Sequence, residues 1–222
     1  MTEALLVHSP LVGPSTMRFL GDALAANGWS TTVPDLRPGL ATVDGFLALA
    51  AARSPGPGVV LVGHSRAGAF LPALAVLTGA AGSVFLDAVV PEGDQSTSPT
   101  IRSLAFVDQL PLTDGRLPPW YEWWPKDVIE EGIPDPAHRS AVVADMPSVP
   151  RAFYDMPVSV PHGWSSRPCA YLQLSEAYDE DADRAAGWNW PVARLHGGHL
   201  DVVNSADLVA AEVVRLAARL GI

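Results

Sequence analysis

Residues 59–68 read Val59-Val60-Leu61-Val62-Gly63-His64-Ser65-Arg66-Ala67-Gly68. The first four form a continuous apolar run, rich in β-branched side chains, of the kind a strand buried on both faces presents. Gly63 and Ala67, both small, stand two positions either side of Ser65. A strand that turns directly into a helix needs such residues, because neighbouring backbone closes on the turn while the serine hydroxyl is thrust outward. A helical pattern from Gly68 to Leu77 follows, and its N-terminus would favour negative charge near that hydroxyl. These ten residues therefore predict a strand, a serine elbow and a helix in an α/β protein.

The rest of the chain repeats the alternation. Ala4 to His8, Ser30 to Val33, Ser83 to Val90, Ala170 to Leu174 and Val192 to Leu195 read as further strands. Met17 to Asn27 is an amphipathic helix closed by Gly28, and Val43 to Ala52 carries Asp44 in its first turn. Ala206 to Leu220 has apolar spacing of three and four and is ended by Gly221. Alternating β and α units predict a mostly parallel sheet of about six strands with helices on both faces. One domain is expected over 1–222. The rhythm breaks over 92–168, which is rich in Pro and Trp and holds Trp120, Tyr121, Trp123 and Trp124. With a helix expected from Pro136 to Asp145, this stretch predicts a lid inserted between two strands.

Composition narrows the partners. Of 222 residues, 48% are hydrophobic and only 17% charged, against roughly 25% in an average soluble domain, so a disordered chain is excluded. Lys and Arg number 14 against 24 Asp and Glu, a net charge of -10. That balance repels phosphate backbones and anionic lipid, arguing against nucleic acid and membrane partners. The acid at Glu3 and the short apolar stretch after it do not make a signal peptide, so a cytoplasmic protein is expected. Cys169, the single cysteine, excludes an internal disulfide and a thiolate metal cluster, and reads as a small core residue at the start of a strand. No dinucleotide or phosphate-loop fingerprint occurs, and no cofactor or metal is expected. A homo-oligomer is not indicated.

Taken together, Gly63-His64-Ser65-Arg66-Ala67-Gly68, the strand Val84 to Pro91, the insertion and the late Gly197-Gly198-His199-Leu200 resemble the α/β-hydrolase fold family. The resemblance is strongest to small esterases, hydroxynitrile lyases and their bacterial relatives. It implies an order of nucleophile, acid and histidine, met by Ser65, a carboxylate and His199. His199 is favoured over His196 because the two glycines before it make a close-approaching loop, whereas His196 continues the strand. Two places in the fold can supply the acid. Asp87 occupies one, after the strand that follows the elbow helix; Glu176 lies near the other, after the penultimate strand, where the family position itself holds Ala177. A charge at an apolar strand end must be paired to be buried, which draws attention to Asp87, while the run Asp179 to Asp183 reads as a solvated face.

For the oxyanion hole the resemblance implies the N–H of Arg66 and a second donor after the first strand. Pro10, which has no N–H, stands at the second place, leaving the Ser9 hydroxyl or the Leu11 amide. His64, Trp120, Trp123 and Trp124 are candidate substrate-binding residues; His8, like His64, reads as a pocket wall or a satisfied core group. Phe153 and Tyr154 add to the aromatic content of the lid. The expected activity is a serine hydrolase acting on an ester or other activated carbonyl of a small apolar or aromatic substrate. The alternatives are lyase chemistry, with histidine as base and a working hydroxyl at Ser9, or a binding protein with a degenerate triad.

Overall fold

The computed structural model describes residues 1–93 and 104–222. In chain order, β1 (Glu3–Val7), α1 (Ser15–Ala26), β2 (Ser30–Thr32), α2 (Val43–Ala52), β3 (Val60–Ser65), α3 (Leu71–Thr78) and β4 (Gly82–Ala88) build the first part. The insertion holds α4 (Leu104–Val107), β5 (Arg116–Leu117), α5 (Lys126–Gly132), α6 (Pro136–Asp145) and β6 (Val149–Pro150). Then β7 (Cys169–Gln173), α7 (Asp179–Gly187), β8 (Val192–Arg194), α8 (Asp201–Asn204) and α9 (Ala206–Arg219) complete the chain. Six strands form one parallel sheet in the order β2-β1-β3-β4-β7-β8. This is the sheet the alternation predicts.

Strand periodicity sorts the core into two layers. Leu5, Val7, Leu61, Phe85 and Tyr171 face one side and pack with Phe46 of α2 and Leu74 of α3. Leu6, Val60, Val62, Val84, Leu86 and Leu172 face the other and meet Leu20 of α1 and Val213 of α9. Because both faces are covered, the central strands read as unbroken apolar runs rather than alternating ones. Truncating one of these large side chains to alanine costs about 2–5 kcal/mol.

The elbow differs in one detail from its sequence reading. Ser65 has φ 60° and ψ −124°, a left-handed backbone that a non-glycine residue adopts only under constraint. A short 3-10 turn, Arg66–Phe70, comes first, and the α-helix begins only at Leu71. Pro72 sits in the first turn of α3, where its missing N–H does no harm. Ala67 is buried, yet the glycine the turn depends on is Gly68: a Cβ there would stand 2.1 Å from the Val89 carbonyl oxygen.

Opposite the elbow, β4 carries a bulge. His64 pairs with Leu86 and Ser65 with Ala88, which leaves Asp87 as an extra residue with φ 42°. The disturbed ladder is repaired by the Tyr171 phenol, which accepts the Ala88 N–H at 3.0 Å and donates to the Ala88 carbonyl at 2.8 Å. The bulge turns the Asp87 side chain away from the alternation of its strand and toward the C-terminal edge of the sheet.

The insertion predicted over 92–168 is more structured than expected, and residues 94–103 of it lie outside the described residues. Its short strands β5 and β6 pair antiparallel, an element the sequence reading did not anticipate. Helix α6 has the predicted bounds, capped by the Asp135 carboxylate, which accepts the N–H groups of Ala137 and His138. At its other end Asp145 accepts both the N–H and the hydroxyl of Ser15, fastening α6 to the first turn of α1. The contact is close enough that a Cβ on Gly13 would lie 2.4 Å from that of Asp145. Among the described residues no helix is long and apolar enough to cross a membrane.

Candidate active site

Ser65, at the C-terminal end of β3, is 8% exposed and opens into a cavity of about 1220 Å³. The loop after β1 forms part of the wall through Ser9, Leu11 and Val12. His8 anchors that loop: its Nδ1–H donates to the Ser9 carbonyl at 2.8 Å, and its Nε2 accepts the Leu36 N–H at 3.0 Å. This pattern requires neutral imidazole, and burial accordingly pushes the His8 pKa down to about 4. Of the two readings for His8, a satisfied core group is what the structure contains.

The candidate oxyanion donors divide. Arg66 follows the serine immediately, and its side chain also lines the cavity. The Leu11 N–H is directed at Ser9 Oγ at 3.3 Å, a bond within the loop. That corrects the expectation of Leu11 as a direct donor: with Pro10 between them, Ser9 and Leu11 close a tight turn on each other. The Ser9 hydroxyl retains its own proton while accepting that bond.

His199 and Asp87 meet. His199 Nδ1 lies 2.7 Å from Asp87 Oδ2 and donates to it, which leaves Nε2 as the basic nitrogen. Asp87 also accepts the N–H groups of Leu174 at 2.8 Å and Ser175 at 3.0 Å, and the Ser175 hydroxyl at 2.7 Å. Burial works to raise its pKa, but the bonds from His199 and Ser175 and the imidazole charge outweigh it, so the carboxylate lies below its ordinary range. Glu176, the alternative acid, is exposed on the 3-10 turn after β7, and the structure gives the His199 contact to Asp87. His196 is likewise exposed.

His64 braces His199 from one side. The two rings stack at 4.4 Å, and His64 Nε2–H donates to the His199 carbonyl at 3.0 Å. Its Nδ1 is buried, with no hydrogen-bond partner among the described residues. Burial first, and then the charge of His199, hold the His64 pKa down at about 3. Tyr178 also stacks on His199, its ring at 5.1 Å and 15°. Its hydroxyl reaches 3.1 Å from Ser65 Oγ.

The three candidate tryptophans all reach the cavity: Trp123 is buried, Trp120 is partly buried and Trp124 is exposed, with Phe106 stacked on it at 5.2 Å. Leu11, Val12, Val128, Ile129 and Leu200 make the remaining wall largely apolar. Phe153 and Tyr154 lie wholly in the core. No group of three His, Cys, Asp or Glu side chains among the described residues suits a metal ion.

This geometry can be set against known proteins. The sequence profile of the alpha/beta hydrolase family matches residues 4–212. The chain belongs to that family. No curated protein matches the sequence significantly. Among solved structures, an extracellular alpha/beta-hydrolase from a Paenibacillus species is similar with a TM-score of 0.72 at 14% identity, covering 97% of this chain and 99% of its own. A methylesterase from Arabidopsis has a TM-score of 0.71 at 16% identity, over 98% and 99% of the two chains. A pyrethroid hydrolase from Sphingobium faniae has 0.68 at 20% identity, over 98% and 97%. At such identities the likeness is one of fold.

Within this alpha/beta hydrolase, two residues near the site escaped the sequence reading. Tyr178 was hidden by attention to Ala177, the neighbouring position at which the family carries an acid. Asp181 belongs to the acidic run read as a solvated face, yet it is 2% exposed. Its Oδ1 accepts the Val90 N–H at 3.0 Å and the Arg184 guanidinium at 3.1 Å, tying α7 to the chain just beyond β4. The available signal was the spacing of Ala182 and Ala185, which marks an inward face on α7.

Proposed function

We propose that this alpha/beta hydrolase is a cofactor-free serine esterase acting on an ester, or another activated carbonyl, of a small molecule with an apolar or aromatic group. The observation that carries the reading is the 2.7 Å bond from His199 to Asp87 at the cavity into which a strained Ser65 opens. Nδ1–H is committed to the carboxylate, so Nε2 is the nitrogen with a free lone pair, which is what a general base for Ser65 needs.

In the proposed reaction Ser65 Oγ bonds to the carbonyl carbon as its proton passes to His199 Nε2, and the carbonyl π pair moves onto oxygen. The Arg66 N–H, aided by the Ser9 region, meets the negative oxygen. When the carbon–oxygen bond to the leaving group breaks, His199 returns its proton to the departing alcohol. Water then attacks the acyl-serine, gives its proton to the same nitrogen, and Ser65 is released with its hydroxyl restored. Asp87 keeps the imidazole in the required tautomer and offsets its transient charge.

Aromatic and aliphatic walls support an apolar substrate, and the insertion carrying Trp120, Trp123 and Trp124 supplies a lid. The names of the methylesterase and the pyrethroid hydrolase lend support to ester chemistry. Labelling with a fluorophosphonate probe tests the reading. An adduct on Ser65, absent from Ser65→Ala, together with turnover of aryl esters, is the expected result. A second reading, lyase chemistry with His199 as base and no acyl-serine, is favoured by Pro10, which takes one amide from the oxyanion hole. It would give a folded protein that the probe leaves unlabelled and that still cleaves a cyanohydrin.

A further inference from the structure

We propose that Tyr178 is a catalytic residue whose hydroxyl donates to the oxyanion formed on the carbon that Ser65 attacks, in place of the amide that Pro10 removes. This rests on the serine hydrolase reading above.

The argument begins with what is missing. Acyl transfer requires donors fixed at the point where negative charge develops, and a hole of this kind is ordinarily served by two. The elbow offers the Arg66 amide. The loop after β1 offers no second amide: Pro10 has no N–H, and the Leu11 N–H is turned onto Ser9 Oγ at 3.3 Å, which leaves that loop only the Ser9 hydroxyl. The second donor must therefore be a side-chain hydroxyl, and the one the structure sets against Ser65 Oγ is that of Tyr178.

Tyr178 has the required position. Its hydroxyl stands 3.1 Å from Ser65 Oγ, the atom that bonds to the reacting carbon, and it lines the cavity. In the tetrahedral adduct the oxyanion and Oγ are bonded to the same carbon, so a donor 3.1 Å from Oγ reaches the oxyanion when the substrate binds with its carbonyl oxygen turned toward Tyr178. Tyr178 is also held. Its ring is stacked on His199 at 15°, and the 3-10 turn Glu176–Tyr178 carries it at the end of β7. A phenol so fixed donates without reorganising, which is the condition under which such bonds help most. Burial raises its pKa, so the proton remains on oxygen throughout the working range of an imidazole base. No proton is transferred from Tyr178: the bond passes from Ser65 Oγ to the oxyanion during attack and returns when the adduct collapses.

Tyr178→Phe keeps the stacked ring and removes only the donor. The experiment measures kcat and KM of wild type, Tyr178→Phe and Ser65→Ala on esters of one acid with leaving alcohols from nitrophenol to ethanol, with thermal melts as a fold control. The expected result is a loss in kcat of about 10²–10³, the size seen when one oxyanion donor is removed. KM should move little, and the loss should be the same for every leaving group, because the oxyanion is common to all. The pH profile should keep its wild-type shape. Activity of Tyr178→Phe within threefold of wild type would overturn the proposal, as would a loss that grows with leaving-group pKa, which would put the phenol on the departing oxygen. Activity persisting in Ser65→Ala overturns instead the hydrolase reading itself, and is distinguishable because it does not depend on the Tyr178 variant.

Discussion

Asp87 reaches His199 across 2.7 Å from a backbone held at φ 42°, inside a bulge of the central sheet. The carboxylate is thus placed by strand pairing rather than by a loop, and its four hydrogen bonds leave it little freedom. Asp87→Asn presents an amide to His199 and favours the wrong tautomer. The expected fall in kcat is about 10⁴-fold, as in a protease triad altered the same way. Glu176→Gln should stay within twofold of wild type. Ester kinetics on the two variants decide between the carboxylates, and equal losses would remove Asp87 from the proposed role.

The bulge itself depends on Tyr171. Its phenol serves both the N–H and the carbonyl of Ala88, so Tyr171→Phe leaves two buried backbone groups without partners. The expected destabilisation is about 2 kcal/mol. For a chain of this length that lowers Tm by about 4–8 °C. Because Asp87 adjoins Ala88, kcat should fall as well. An unchanged melt by calorimetry would show that the phenol is not what holds the bulge.

Gly68 allows the elbow to close. A methyl group there would meet the Val89 oxygen at 2.1 Å, a contact only backbone movement relieves. Gly68→Ala should lose both soluble expression and probe labelling, whereas Ala67→Gly should keep the fold. A well-folded Gly68→Ala protein, judged by its urea midpoint, would contradict the close approach.

Acid should unfold this protein through its histidines. An imidazole with a pKa of 6.5 unfolded and about 4 folded, as at His8, binds fewer protons in the folded chain between those values. Stability then rises with pH across that window and is lost as pH falls from 6.5 toward 4. The gap is worth about 3 kcal/mol for His8. His64, held at about 3, acts in the same direction, and so does Asp87 below the ordinary carboxylate value. Urea midpoints should fall steadily from pH 7 to 4.5. Gln at position 8 can make both bonds without titrating, so His8→Gln should flatten the curve. A flat wild-type curve would refute the argument.

The sheet was legible because its signals are local. Apolar runs at β3 and β4, the glycines after helices and the small residues around Ser65 each announce themselves within a few positions. The proposed acid was half legible: a charge at an apolar strand end marks Asp87, but the bulge that aims it arises from pairing between β3 and β4, which no single segment displays. Tyr178 was not legible at all. Its place beside Ser65 depends on β7 lying next to β4 and on a ring stacked against a histidine twenty-one residues later. Asp181 was misread because charge in a run implies solvent, while a helix turns every third or fourth residue inward.

With the proposed acid in β4, the turn after β7 need not supply a carboxylate; its Ser175 only holds Asp87 in place. Ala177, exposed on that turn and facing the cavity, can be varied while Asp87, Tyr178, His199 and the strands that seat them stay untouched. A library confined to Ala177 would therefore explore substrate preference on a fixed base, with little of the usual conflict between new activity and a disrupted relay.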